Sequence, residues 1–168
     1  MFQKNDYVFY GSGGVCKIVD VQAAPLDGMP KDRLYYVMHS VHDVNSKMYV
    51  PVDSECVFLR ALITAEEAQA LLADIPRVAL IVEENAKRLR ERYQEHMRRY
   101  MPEDWVLVLK TVQARLDEPR PLARRISETE RSYAEAAKRN LCTELALVLD
   151  HPTEEITADV MRLIREFE

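Results

Sequence analysis

The spacing of apolar residues changes once along this chain, near residue 62, and that change limits the fold more than any other feature. Before it, apolar side chains alternate or cluster in short runs: Tyr7 to Tyr10, Val15 to Val21, Leu34 to His39, Met48 to Val52 and Val57 to Arg60. After it they recur at steps of three and four. Alternation buries one face of a strand, and steps of three and four bury one stripe of a helix. The expected fold class is therefore α+β. Residues 1–62 are expected to form a small, highly twisted barrel or rolled sheet. Residues 63–76 read as a helical connector and residues 77–168 as a helical bundle.

Local signals divide each half. Gly11-Ser12-Gly13-Gly14 reads as a hairpin turn that uses a left-handed backbone. Asp27-Gly28 and Asn45-Ser46 read as further turns. Pro51 lacks an N–H, which favours an edge strand or a strand end. Thr64 and Glu67 form a capping box that opens a helix to about residue 73, and Asp74-Ile75-Pro76 ends it. A second helix is expected from about Glu83 to Tyr100, with Ala86, Leu89, Tyr93, Met97 and Tyr100 as its apolar stripe. A third, from about Glu103 to Leu116, is expected to bury Trp105, Leu109, Val112 and Leu116. Asp117 to Arg125 reads as a loop. Ser127 and Glu130 form a second capping box, opening a helix to about Leu149. Thr153 is expected to cap a last helix that turns Ile156, Val160 and Ile164 inward.

Several function classes are disfavoured by the residues. Val78 to Val82 is the longest apolar run in the middle of the chain, far short of the roughly 20 residues that span a bilayer. The start, MFQKNDYVFYG, has no continuous apolar stretch like that of a signal peptide, so the expected location is the cytoplasm. The three cysteines, Cys16, Cys56 and Cys142, contain no CxxC pair. The turn at 11–14 continues into a strand, not into the Gly-Lys-Ser/Thr and helix that a phosphate loop needs. His39, His42 and Asp43 are the nearest approach to a metal or catalytic cluster, and they read first as a polar strand end and turn. His96 shares a helix with Arg92 and Arg99 and reads as part of a solvated face. An enzyme is not expected, and neither is a cofactor.

Charge is distributed unevenly. The chain carries 23 Lys+Arg against 28 Asp+Glu, a formal net charge of −5, so it is not a uniformly basic nucleic-acid binder. Residues 77–100, however, hold seven basic and four acidic residues. Lys87, Arg88, Arg90, Arg92, Arg98 and Arg99 interleave there with Tyr93 and Tyr100, and Arg120, Arg124 and Arg125 follow in the loop. Such a helix can hold phosphates and release their counterions. It can equally be a solvated face with i,i+4 pairs such as Glu84–Arg88 and Lys87–Glu91.

An ordered set of segments completes the reading: DYVFYGSGGVCKIVDV at 6–21, DRLYYVM at 32–38, MYVPVDSECVFLRALITAEEAQALLADIP at 48–76 and NLCTELALVL at 140–149. In this order they resemble the CarD (CdnL) family of bacterial transcription regulators, in its short Gram-positive form. The resemblance runs from residue 2 to about 150. It implies a Tudor-like, SH3-like barrel similar to the polymerase-interacting module of transcription-repair coupling factor. It further implies that an exposed strand of the barrel pairs with the RNA polymerase β subunit, here Lys47, Met48, Tyr49, Val50 and Pro51. The helical half would then lie on promoter DNA, with Lys87, Arg88, Arg90, Arg92, Arg98 and Arg99 on phosphates. Two departures stand out. Residues 77–100 lack the Trp that wedges into the minor groove in well-known members, which leaves Leu80, Ile81 or the later Trp105 as apolar candidates. Basic positions that meet polymerase in those members fall here on Ala24 and Tyr49. The expectation is a non-enzymatic regulator tethered to polymerase. The alternative is a protein–protein adaptor with no DNA contact.

Overall fold

The computed structural model describes residues 1–119 and 126–168. The chain divides into two compact units, Met1–Leu62 and Ile63–Glu168. The class is α+β: an antiparallel sheet comes first and helices follow.

The first unit holds β1 (Tyr7–Tyr10), β2 (Gly14–Ala23), β3 (Leu34–Ser40), β4 (Asp43–Pro51) and β5 (Leu59–Ala61). Their order in the sheet is β4-β3-β2-β1-β5, and every neighbouring pair is antiparallel. The expected barrel is not closed. β4 pairs only with β3 and β5 only with β1, so the two end strands share no ladder. Val8, Cys16, Ile18, Tyr36, Met38 and Val50 form the core on one face. Ile18 and Val21 both face this core although they are three positions apart, an odd step that would otherwise put them on opposite faces. A register shift between Ile18 and Asp20 inserts the residue that returns Val21 to the inner face.

The turns differ from expectation at one place. Gly11–Gly14 does close the β1–β2 hairpin: Gly13 N–H donates to Tyr10 O at 3.0 Å, and Gly14 takes φ +71°. A Cβ on Gly13 would lie 2.8 Å from Tyr10 Cδ1 and 3.1 Å from Met48 Cε, so the missing side chain lets Met48 lie against the turn. The β3–β4 hairpin, by contrast, reverses at Val41-His42, and Asn45-Ser46 lies within β4. A second register shift, between His39 and Ser40, moves the turn from the polar pair to this site.

The second unit contains α1 (Ala65–Asp74), α2 (Ala86–Met97), α3 (Pro102–Leu116), α4 (Glu128–Leu149) and α5 (Thr153–Ile164), with a 3-10 turn at Ile75–Arg77. Both capping boxes form as read, at Thr64/Glu67 and Ser127/Glu130. α2 starts later than expected because the Asn85 side chain accepts from Arg88 N–H and so caps it. Thr153 is the first residue of α5, after Pro152, and its carbonyl accepts the Thr157 hydroxyl at 2.7 Å. α4 is central: α1, α2, α3 and α5 all pack on it. Trp105, Leu109, Leu141, Leu145 and Val160 fill the core, whereas Leu116 is 41% exposed, against expectation. Lys110 and Glu144 are fully buried. The Lys110 ammonium donates to Ile75 O at 2.6 Å and Pro76 O at 2.8 Å. Glu144 Oε1 accepts from Ile63 N–H at 3.0 Å.

Candidate functional site: an open strand edge and a basic helix

Each unit presents one candidate surface. On the first unit it is β4, an edge strand, as Pro51 implied. Antiparallel ladders alternate, so the residues of an edge strand that bond inward are followed by residues whose N–H and C=O point out. Val52 N–H donates to Leu34 O at 2.9 Å, which sets the phase. With Tyr36 opposite Val50 and Met38 opposite Met48, those two bond inward. Lys47, Tyr49 and Pro51 therefore turn their main chains outward.

The open stretch is short, because both ends are blocked. Pro51 has no N–H, and its carbonyl accepts from Ser54 N–H at 3.1 Å. At the other end the Asn45 N–H donates to Asp43 Oδ1 at 3.2 Å. The Ser46 hydroxyl and this N–H hold the Asp43 carboxyl below its ordinary pKa. What remains open is the N–H and C=O of Lys47 and of Tyr49. Blocked ends are a usual defence of edge strands against pairing with unwanted chains. The five residues of the predicted polymerase face thus divide by role. Met48 and Val50 pack inward, with Val50 4% exposed. Lys47 is exposed and Tyr49 half-buried on the opposite face. Ala24, where well-known members of the resembling family are basic, adopts φ 38° just after β2.

On the second unit, α2 divides its basic residues in a way that spacing did not show. Lys87, Arg88, Arg90 and Arg98 are exposed and close no ion pair among the described residues. Neither Glu84–Arg88 nor Lys87–Glu91 forms as an ion pair among the described residues. Arg92 is half-buried, and its guanidinium donates to Val82 O at 3.2 Å. Arg99 donates to Asp104 Oδ1 at 3.2 Å. The same carboxylate oxygen lies 2.6 Å from His96 Nδ1. His96 is therefore no part of a solvated face: its side chain is 14% exposed and ties the end of α2 to the first turn of α3. Arg120, Arg124 and Arg125 lie outside the described residues.

The apolar candidates also sort themselves. Trp105 is fully buried, so no part of it reaches a DNA groove. Ile81 is 8% exposed, and its N–H donates to Thr111 Oγ1 at 3.0 Å. Leu80 is half-buried. Val82 is the outlier at 83% exposed, beside the carbonyl that Arg92 holds.

Among the described residues no three of His, Cys, Asp and Glu come together as a metal site. His39 Nδ1 lies 2.9 Å from Ser40 O and His42 is exposed. Burial pushes the Cys16 thiol up to about 11, which leaves it protonated and unreactive near neutral pH. Burial also raises Cys142.

Residues 2–63 match the CarD-like/TRCF RID domain. The first unit is therefore similar to that domain. That domain is an RNA-polymerase-interacting module, so the first unit is transcription-related. The match ends where the second unit begins, at Ile63. No curated protein matches the chain. No helix among the described residues is long and apolar enough to cross a membrane.

Proposed function

We propose that this CarD-like protein is a non-enzymatic, cytoplasmic transcription regulator. Its first unit is a Tudor-like module that adds a strand of the RNA polymerase β subunit to β4. Its second unit contacts promoter DNA through phosphates and lengthens the life of the promoter complex. The observation that carries this reading is the open edge at Lys47 and Tyr49, within a domain of the polymerase-interacting class. Four main-chain groups, an N–H and a C=O from each residue, are free to bond an added strand. Lys87, Arg88, Arg90 and Arg98 are the phosphate candidates, because Arg92 and Arg99 are already engaged within the unit.

The test is capture of the protein by the polymerase β lobe, comparing wild type with Tyr49→Pro. The Tyr49 N–H points away from β3, so proline removes an outward donor and leaves the β3–β4 ladder intact. Loss of capture with an unchanged circular dichroism spectrum is expected. Capture equal to wild type refutes docking through β4.

A second reading is supported by the glutamates on and just before α2. Glu84, Glu91 and Glu95 are all exposed among the basic residues. A mixed face of this kind suits an adaptor that touches protein and not DNA. DNA binding falls steeply with salt and adaptor binding need not, so a salt titration on duplex DNA separates the two.

A further inference from the structure

One ridge of α4 carries charges that alternate in sign. Glu128, Arg131, Glu135 and Lys138 follow one another at steps of three and four. At about 100° per residue they fall within roughly 80° of each other, on a ridge about 15 Å long. Tyr133 lies on the opposite side of the helix, and its ring meets that of Tyr93 on α2, with centroids 6.4 Å apart. The ridge therefore faces away from α2. Glu128, Arg131 and Glu135 are exposed. One pair closes within the ridge, Lys138 to Glu135 at 3.3 Å. Arg131 stands three residues from Glu128 and four from Glu135, the spacing at which helix pairs form. It nevertheless closes no ion pair among the described residues.

An apolar groove runs beside the ridge. Leu109, Val112 and Leu116 of α3, Ala134 of α4 and Met161 of α5 line a cavity of about 260 Å³, with the four charged residues on its rim. Arg115 pairs with Glu130, and α3 and α4 run antiparallel. Leu116, 41% exposed, thus sits at the Glu128 end of the groove and Leu109 at the Lys138 end.

Read forward the ridge is acid, base, acid, base; read backward it is the reverse. A two-fold axis level with residue 133 therefore sets Glu128 against Lys138 of a second copy, and Arg131 against Glu135 of that copy. Symmetry doubles these to four opposite-charge pairs. A parallel copy in the same register would set like charges together. The same axis carries Leu116 of the second copy to the Leu109 end of the groove. A two-fold interface must be complementary to itself, and this ridge meets that condition.

We propose that the α4 ridge is a self-association surface, on which two copies pair α4 against α4 antiparallel and each seats its Leu116 in the groove of the other. Exposed ion pairs are individually weak, so the association is reversible and sensitive to salt.

Sedimentation velocity of the full chain, in a concentration series up to roughly 0.5 mM, is the test. Reductant is kept present because Cys56 is exposed. Wild type should dimerise at ~50 mM salt, and the dimer should weaken about 10-fold at ~0.5 M. Every substitution counts twice across a two-fold axis. Arg131→Glu and Glu135→Arg should each weaken the dimer about 10-fold, because two attractive pairs become repulsive. Mixed in equal amounts, these two variants should associate again, since each supplies the charge that the other lacks. Misfolding of either variant does not produce that rescue. Leu116→Gln should weaken the dimer without moving the Trp105 fluorescence melt, and Tyr49→Pro should dimerise like wild type. Wild type that stays monomeric at low salt overturns the proposal. So do single variants that dimerise as wild type does, or a mixture that stays monomeric. A dimer lost only with Tyr49→Pro lies on β4 and overturns it too.

Discussion

Lys110→Met removes a buried cation and keeps an unbranched side chain in its place. Lys110 is fully buried, and its ammonium meets two carbonyls at 2.6 and 2.8 Å and the Phe167 ring at 4.5 Å. Charge-assisted hydrogen bonds contribute ~1.5–3 kcal/mol each, and a cation over a ring adds ~0.5–2 kcal/mol. Against these gains stands the cost of taking the ammonium out of water, several kcal/mol. The carbonyls would not be orphaned, since Val78 N–H reaches Ile75 O and Glu168 N–H reaches Pro76 O, both at 3.2 Å. The net loss is then about 2 kcal/mol. Trp105, the single Trp, lies at the core of the second unit, so its fluorescence reports the unfolding of that unit. With a urea slope of ~1–3 kcal/mol per M, the midpoint should fall by roughly 1 M. pH gives an independent check. Burial lowers the Lys110 pKa, so between its folded and ordinary values the unfolded chain binds more protons than the folded one. The Lys110 contribution therefore makes wild type more stable as alkaline pH rises through that window, and Lys110→Met loses this slope. A variant as stable as wild type, with the same alkaline slope, refutes the idea that the ammonium clasps the end of α1.

Other outcomes follow from the same reasoning. Cys16 has a raised pKa, about 11 against 9.0, so its contribution is fully present below pH 9 and is lost as pH rises through 11. About 3 kcal/mol of first-unit stability should vanish over that range, at ~1.4 kcal/mol per pKa unit, and Cys16→Val should flatten the profile measured by denaturant melts. Glu144→Ala should cost ~2–3 kcal/mol and speed hydrogen exchange at the Ile63 amide, while Glu144→Gln keeps an acceptor there and loses less. Arg88→Glu should shorten promoter-complex lifetime without moving the Trp105 melt. An unchanged lifetime removes that residue from the DNA surface. Arg99→Glu should in addition destabilise the second unit, because it sets a second acid beside Asp104.

Much that depends on near neighbours was legible in the sequence. Thr64 with Glu67, and Ser127 with Glu130, are three residues apart, and their hydrogen bonds close within one turn. The glycine turn and the edge position of Pro51 likewise need only local geometry. α2 was read too long because the apolar stripe continues to Tyr100, past its last turn, and because the cap at its start went unread. Asn85 caps its start, and Arg98 follows its last turn. The β3–β4 turn was misplaced because a register shift is a property of two strands and not of one.

The candidate surfaces were harder to read, since the same residue types take different parts once folded. Arg88 and Arg92 are alike in sequence, yet one is exposed and the other holds Val82 O. His96 looked solvated until α3 brought Asp104 against it. Lys110 and Glu144 gave no signal of burial, because their partners lie 34 to 35 and 81 residues away. By itself, then, the sequence determined two units of different period, their caps, their charge distribution and a resemblance carried by ordered segments. Tertiary structure alone decided that the sheet stays open, that Lys47 and Tyr49 turn their main chains outward from β4, and which cations remain for a partner. The reason is physical: periodicity and capping are settled within a few residues, whereas register, burial and ion pairing exist only after distant segments meet.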